Sequence, residues 1–342
     1  MKIKKFFKKF NSLHWNNPIQ ELKRKKFKFL IEEVNLSEYK SIYDESNFEN
    51  ISHIQTPGYY LKKNDAYYLK ISNKNKIYGI LSLTKKTFCF GLISFIRIND
   101  GALICEEFHN YKYRIFFLFI KFIKKKYTKL ISFSPPYIYK YEKPFKRINI
   151  IKLGSDPSKT YIVDLQNPER EILKKLRSNW RNGLKKGLKT GKAKEIRDIK
   201  MIKNILHDYN AYAIKLSFIP ISHEKCMNWI INDLENNGLL GLKIYQAHSI
   251  DYPGNNLGSI GILCFKEKAL YLFGFTNDMG RKYQANTLLL WHAIIESKKR
   301  GIKEFDLGGF NKNTSKGIKK FKEGLNGSIL KTLGEYIYIG IF

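Results

Sequence analysis

Acidic residues are scarce in this chain: 30 Asp and Glu stand against 62 Lys and Arg, a formal charge of +32. That imbalance predicts polyanionic partners, such as tRNA, a nucleotide diphosphate or an anionic membrane face. Codon bias towards Lys, Ile and Asn would raise Glu and Asp as readily, so it leaves the missing acids unexplained. Cysteine is sparse too. Cys89, Cys105, Cys226 and Cys264 lie far apart without CxxC spacing, which argues against a zinc site or a disulfide framework and for a reducing compartment, the cytoplasm by default. The seven histidines show no HExxH or paired-ligand spacing, so no metal is expected. No uncharged apolar run reaches the roughly 18 residues of a membrane span; Thr87–Ile96 and Ile115–Ile120 have strand and helix-core lengths. The N-terminus has charge but neither the apolar core nor the small-residue cleavage site of a secretory signal.

What is present is a globular composition. The 342 residues include 24 Phe and 22 Tyr, unlike an aromatic-poor disordered chain, and are enough for about two domains. Near the start, Phe6, Phe10 and Leu13 share a helical face with Ile3 and Phe7 beside them, among Lys2, Lys4, Lys5, Lys8 and Lys9. This basic amphipathic pattern, within a segment taken as residues 1–44, fits peripheral contact with an anionic membrane through residues 1–15. A helix packed on the protein and a disordered tail remain open by the same periodicity.

Runs rich in large and β-branched residues at Tyr67–Ser72, Ile77–Leu83 and Thr87–Arg97, separated by NKNK and TKK, predict an antiparallel meander. A helix near Asn110–Lys126 and a strand at Lys129–Phe133 follow. The order then repeats: a strand at Thr160–Leu165, a basic helix opened by Asn167-Pro168-Glu169, helices near Ile199–Leu216 and Glu224–Asn236, and strands at Leu242–Ala247, Gly258–Phe265 and Ala269–Thr276. A Tyr283–Arg300 helix ended by Gly301 and a Lys303–Leu307 strand complete it. The fold class expected is α+β, two tandem lobes, each a mixed and mostly antiparallel sheet flanked by helices. The first lobe is placed at residues 45–155 and the second at 156–329, after a linker near Gly154–Lys159.

Along the basic helix, Leu173, Leu176, Trp180, Leu184 and Leu188 recur at helical spacing, while Lys174, Lys175, Arg177, Arg181, Lys185, Lys186 and Lys189 cover the other faces. If about five of these met single-stranded RNA phosphates, the log–log salt slope would be about −3.5; a merely solvated face is the alternative. Asp306-Leu307-Gly308-Gly309 closes a strand, where glycines permit close approach, or plain turning, of the backbone.

The stretch from Ala269 to Gly327, with its DLGG turn and the Phe321-Lys322 pair in GIKKFKEGLNG, resembles the C-terminal half of the Fem-type peptidyltransferases, tandem relatives of the GNAT acetyltransferases. DLQNPEREILKKLRSNWRNGLKKGLKTG resembles the segment that opens their catalytic half. The likeness extends over roughly Gln55–Gly327. It implies two GNAT-like lobes, with 330–342 open as a final strand returning to the first, and places Lys322 and Phe321 at the reaction centre, the lysine countering an oxyanion and the phenylalanine walling the site. It further implies substrate contacts at Arg177, Arg181, Lys215, Arg281, Gly308 and Gly309. Lys215 stands where an arginine is common, keeping the charge and losing the bidentate fork.

Two further differences bear on substrate. Arg281-Lys282-Tyr283-Gln284-Ala285-Asn286 replaces both glycine positions of the GNAT pyrophosphate loop, which tilts the acyl donor from acyl-CoA towards aminoacyl-tRNA. Asp100-Gly101-Ala102 replaces the basic-Gly-Pro motif of the first half. No general base is named by the pattern; Glu106, Glu107 and Glu323 are carboxylates of the right type. The expectation is a cytoplasmic acyltransferase, without a resident cofactor, acting on an amine of a nucleotide- or lipid-linked cell-envelope precursor such as that of peptidoglycan. An acyl-CoA-dependent N-acetyltransferase acting on an amino sugar of surface polysaccharide, and a non-catalytic RNA- or membrane-binding module, are the alternatives.

Overall fold

The computed structural model describes residues 29–48, 52–59, 65–73, 76–88, 93–128, 130–135, 150–153, 159–234, 240–312 and 314–340. The amphipathic pattern at the N-terminus, the proposed membrane contact of residues 1–15 and most of the Gly154–Lys159 linker lie outside them.

Runs of large and β-branched residues build the first sheet. Strands β1 (Leu30–Val34), β2 (Ala66–Asn73), β3 (Lys76–Phe88), β4 (Ile93–Ile98), β5 (Leu103–Ile104), β6 (Leu130–Phe133) and β7 (Ile150–Leu153) are joined by β15 (Glu335–Ile339) from the far end of the chain. The order is β1-β2-β3-β4-β6-β15-β7, with β5 beside β3. Helix α1 (Leu36–Glu45) follows β1, so residues 30–45 belong to this lobe and not to a separate N-terminal segment. Strand β3 runs on through Lys85 and Lys86, where a break was expected. Thr84–Phe88 pair with β4, and lysines are tolerated on that exposed ribbon. Helix α2 (Lys112–Lys126) buries Ile115, Phe116, Phe119, Ile120 and Ile123 at helical spacing against the sheet.

The second sheet comprises β8 (Lys159–Asp164), β9 (Gly191–Ile196), β10 (Gly241–Ser249), β11 (Asn256–Phe265), β12 (Lys268–Thr276), β13 (Glu304–Asp306) and β14 (Ser328–Lys331), in the order β14-β8-β13-β12-β11-β10-β9. Its helices are α3 (Glu169–Lys175), α4 (Ser178–Thr190), α5 (Ile199–Lys215), α6 (His223–Leu234), α7 (Asp278–Lys282), α8 (Ala285–Lys299) and α9 (Lys316–Glu323). Each sheet has one parallel pair, β4–β6 and β12–β13, and α2 and α8 lie on the respective connections. β15 pairs antiparallel with β6 as β8 does with β13.

The basic segment after Asn167 is two helices, not one. Leu176 and Arg177 adopt extended ψ values of 141° and 153° between α3 and α4. The Arg181 guanidinium donates to the Lys174 and Leu176 carbonyls at this break, satisfying acceptors that an unbroken helix would have used. Pro168, not Asn167, is the residue before the first turn; the Asn167 amide donates to the Asp164 carboxylate at 2.8 Å. The break lets Leu176, Trp180 and Leu184 reach the core while Leu173 and Leu188 stay exposed. Among the described residues no helix is long and apolar enough to cross a membrane.

Candidate active site

Strands β12 and β13 pair only over Lys268–Leu270 and Glu304–Asp306. Beyond that point β12 continues to Thr276, with a register shift opposite Gly261 and Ile262, while the other chain turns away at Leu307–Gly309. The parting strands open a cleft of ≈ 1060 Å³. Its walls are Leu270–Thr276 of β12, Tyr209 and Tyr212 of α5, Leu216–Phe218, the α7–α8 junction at Arg281 and Gln284, and Gly308, Gly309, Phe321 and Lys322.

Lys322 is only 7% exposed. Its Nζ donates to the carbonyls of Gly308 at 2.8 Å and Gly309 at 3.1 Å. An ammonium has three N–H donors, so one remains for a substrate atom. Burial pushes the Lys322 pKa down to about 8, opposed by the charge of Asp306. Asp306, the last residue of β13, accepts from Thr160 Oγ1 and from the Gly308 N–H at 2.8 Å. Burial raises its pKa against the pull of those bonds and of Lys322. The turn requires its first glycine. Gly308 has φ +74°, and a Cβ there would lie 2.8 Å from the Tyr271 carbonyl.

Helix α9 is braced from behind. Trp180 of α4 packs its ring 5.8 Å from that of Phe321 and donates Nε1–H to the Phe321 carbonyl at 3.1 Å. Helix α4 in turn approaches α8 closely: a Cβ on Gly187 would stand 3.0 Å from Leu288 Cβ.

The FemAB family profile matches residues 247–339, from the end of β10 through β15. The crystal structure of FemX is similar over 91% of this chain and 97% of that one, at 13% identity and a TM-score of 0.72. L-PGS from Bacillus licheniformis is similar over 91% and 94%, at 12% identity and a TM-score of 0.52. A conserved protein of unknown function from Bacteroides thetaiotaomicron is similar over 91% and 100%, at 9% identity and a TM-score of 0.54. No curated protein matches the chain by sequence. The chain resembles the Fem-type, tandem GNAT-like family. At these identities the solved structures speak for the fold, and the family match in the lobe that carries the cleft supports an acyltransferase.

Within this Fem-type fold the residues expected from sequence divide into two groups. Lys322, Phe321, Gly308, Gly309 and Arg281 all line the cleft. Arg281 is exposed at its rim, where it donates to the Thr276 carbonyl at 3.1 Å and pairs with Asp278. Arg177, Arg181 and Lys215 are not among the lining residues. Arg177 faces Glu323 at 3.4 Å on the outer side of α9. Arg181 donates from Nη1 to the Lys174 and Leu176 carbonyls at the α3–α4 break. Lys215 is exposed at the end of α5, one residue from the cleft wall at Leu216. The carboxylates of Glu106, Glu107 and Glu323 do not line the cleft either; Glu107 pairs with Lys76 at 2.8 Å.

Sequence reasoning missed Tyr271, Asn286 and Thr160. Tyr271 is enclosed, its phenol pKa raised by burial, and Asn286 bonds to it. Asn286 Oδ1 is buried without a partner in a residue that lines the cleft. Nothing in a strand's alternation marks one tyrosine as belonging to a cleft. Gln284 does carry a conformational signal. It sits at φ +59° before α8, so the left-handed backbone expected of a glycine in that loop is kept by a residue that also adds a side chain.

Proposed function

We propose that this chain transfers an aminoacyl group from aminoacyl-tRNA to an amine of a peptidoglycan or other cell-envelope precursor, working in the cytoplasm where charged tRNA is available. The observation that carries the reading is Lys322, an ammonium buried in the cleft wall and steered by the two carbonyls of the DLGG turn. The acceptor amine attacks the ester carbonyl, forming the C–N bond and an anionic tetrahedral oxygen. The remaining Lys322 N–H donates to that oxygen. Collapse breaks the C–O bond to the tRNA ribose, whose oxygen leaves with the proton lost by the amine. Phe321 walls the reacting centre, and Arg281 with Lys215 and Arg177 outside the cleft supply positive charge for donor and acceptor phosphates.

The acyl-CoA reading draws support from the α8 N-terminus, which lines the cleft, while the side chains of Gln284 and Asn286 oppose the close phosphate approach that glycines would allow. The silent-module reading would win if Lys322 and the DLGG turn lay far from any cleft; both line one.

The test incubates the purified protein with charged tRNA pools and, separately, with acetyl-CoA, scoring binding and slow acyl loss in wild type and Lys322→Met. Salt-sensitive tRNA binding with acyl loss slowed about 100- to 1000-fold in the variant is the expected result. Acetyl-CoA turnover without tRNA preference would transfer the protein to the N-acetyltransferase reading.

A further inference from the structure

The last turn of α5 and the α5–α6 connection present apolar side chains to solvent beside the cleft. Ile219 is 90% exposed, Ile214 65%, Phe218 45% and Leu216 44%. A single exposed aliphatic residue needs no explanation, but a contiguous group does. The group is held out by a built frame. Ser217 takes φ +57°, and the Phe218 N–H donates to the Ala213 carbonyl at 2.8 Å, closing the end of α5. Three residues on, Asn210 clamps Ile221 from both sides, its Nδ2 donating to the Ile221 carbonyl and its Oδ1 accepting from the Ile221 N–H, each at 2.9 Å. Pro220 stiffens the remaining step. The tip is therefore ordered before it meets anything, which lowers the entropic cost of docking.

We infer that this tip inserts into the surface of an anionic bilayer and sets the mouth of the cleft against it. Charge argues for lipid of that sign. From Tyr209 to His223 the chain has no acid and carries Lys215 in the midst of the exposed apolar residues, within a protein of net charge +32. Apolar anchors flanked by cations are the pattern of interfacial insertion, in which buried hydrocarbon and attraction to anionic headgroups act together. Position argues for a function. Leu216 and Phe218 belong both to the exposed group and to the wall of the cleft that holds Lys322. An acceptor anchored in the bilayer then enters the cleft without leaving the membrane. This last consequence rests on the proposed function; the docking itself does not.

The experiment measures partition of the full-length protein onto vesicles of phosphatidylglycerol and phosphatidylcholine in equal parts, and onto phosphatidylcholine alone, at low and raised salt. Ile219→Asn and Ile214→Asn, neither of which lines the cleft, are compared with wild type, with thermal melts to confirm folding. Each substitution is expected to weaken binding to the anionic vesicles about tenfold, the loss from exchanging one buried aliphatic side chain. Wild type is expected to keep a fraction bound at raised salt that the variants lose. Lys322→Met should bind vesicles as wild type does, so failure of the catalytic reading is told apart from failure of this one. Equal partition of wild type and Ile219→Asn would overturn the inference and assign any binding to another basic surface. Absence of vesicle binding would overturn it too, as would loss of self-association in Ile219→Asn by sedimentation, which would make a second copy the occupant.

Discussion

Lys322 is a buried ammonium, and its burial has a pH signature. An unfolded lysine holds its proton to about 10.5, whereas burial brings the folded value down to about 8. Between those values the unfolded chain binds more protons, so stability rises with pH across the window; below pH 8 the ammonium is charged in both states and the burial penalty is felt in full. A separation of that size corresponds to about 3 kcal/mol. Lys322→Met has no such titration. Its stability advantage over wild type, read from denaturant midpoints, should therefore shrink by about 3 kcal/mol between pH 7 and pH 10.5. Acyl transfer should show the opposite sense. If the ammonium donates to the oxyanion, the wild-type rate at saturating acceptor falls as pH rises through about 8, and a rate that climbs steadily to pH 9.5 would remove Lys322 from that role.

Helix α4 illustrates how an element far from substrate shapes the cleft. Gly183, Gly187 and Gly191 recur every four residues, and a Cβ at each would crowd Gln284 or Leu288 of the α8 segment, at 3.0 to 3.1 Å for the nearest atom. Their small size lets α4 lie against the start of α8 while Trp180 braces α9. Gly187→Val should cost about 1–3 kcal/mol by overpacking against Leu288, measured as a lowered urea midpoint. A midpoint equal to wild type would mean that the helices part without penalty. Much of this arrangement is legible in the sequence. The apolar runs of β10, β11 and β12 and the α8 helix with its terminal Gly301 stand close to where the sequence puts them. The burial of Lys322 is harder to read: it sits on a short helix among Lys316, Lys319 and Lys320, where a surface lysine is the ordinary reading. What the pattern does not carry is the partner of each group. The α3–α4 break depends on the Gly324 carbonyl accepting from the Arg177 N–H, a contact between residues far apart in the chain. Nor does the pattern show that one nitrogen of Arg181 donates to the carbonyls at that break. Short strands such as β14 and β1 form because an edge is offered to them, not because their own residues alternate strongly.

The two lobes share one plan, and it makes the end of the chain part of its beginning. β4, β6, β15 and β7 in the first sheet correspond in pairing to β12, β13, β8 and β14 in the second. The second lobe draws β8 from its own start. The first takes the equivalent strand, β15, from residues 335–339, after the whole second lobe has been made. Tyr336 is 1% exposed and stacks on Phe133 at 5.7 Å, and Glu335 accepts from Ser132 at 2.8 Å, so the strand is core and not a trim on the edge. Removing residues 332–342 would leave β6 with one open side and β7 with no neighbour among the described strands. Hydrogen exchange should then show β6 and β4 losing protection while β11, β12 and α8 keep theirs, because the second sheet retains every one of its strands, β14 included. If β6 stayed protected, β15 would be dispensable and the correspondence between lobes only formal. Uniform loss in both sheets would show instead that the lobes fold as one unit, tied through contacts such as Lys266, whose Nζ donates to the Ser46 carbonyl at 3.0 Å from the turn between β11 and β12.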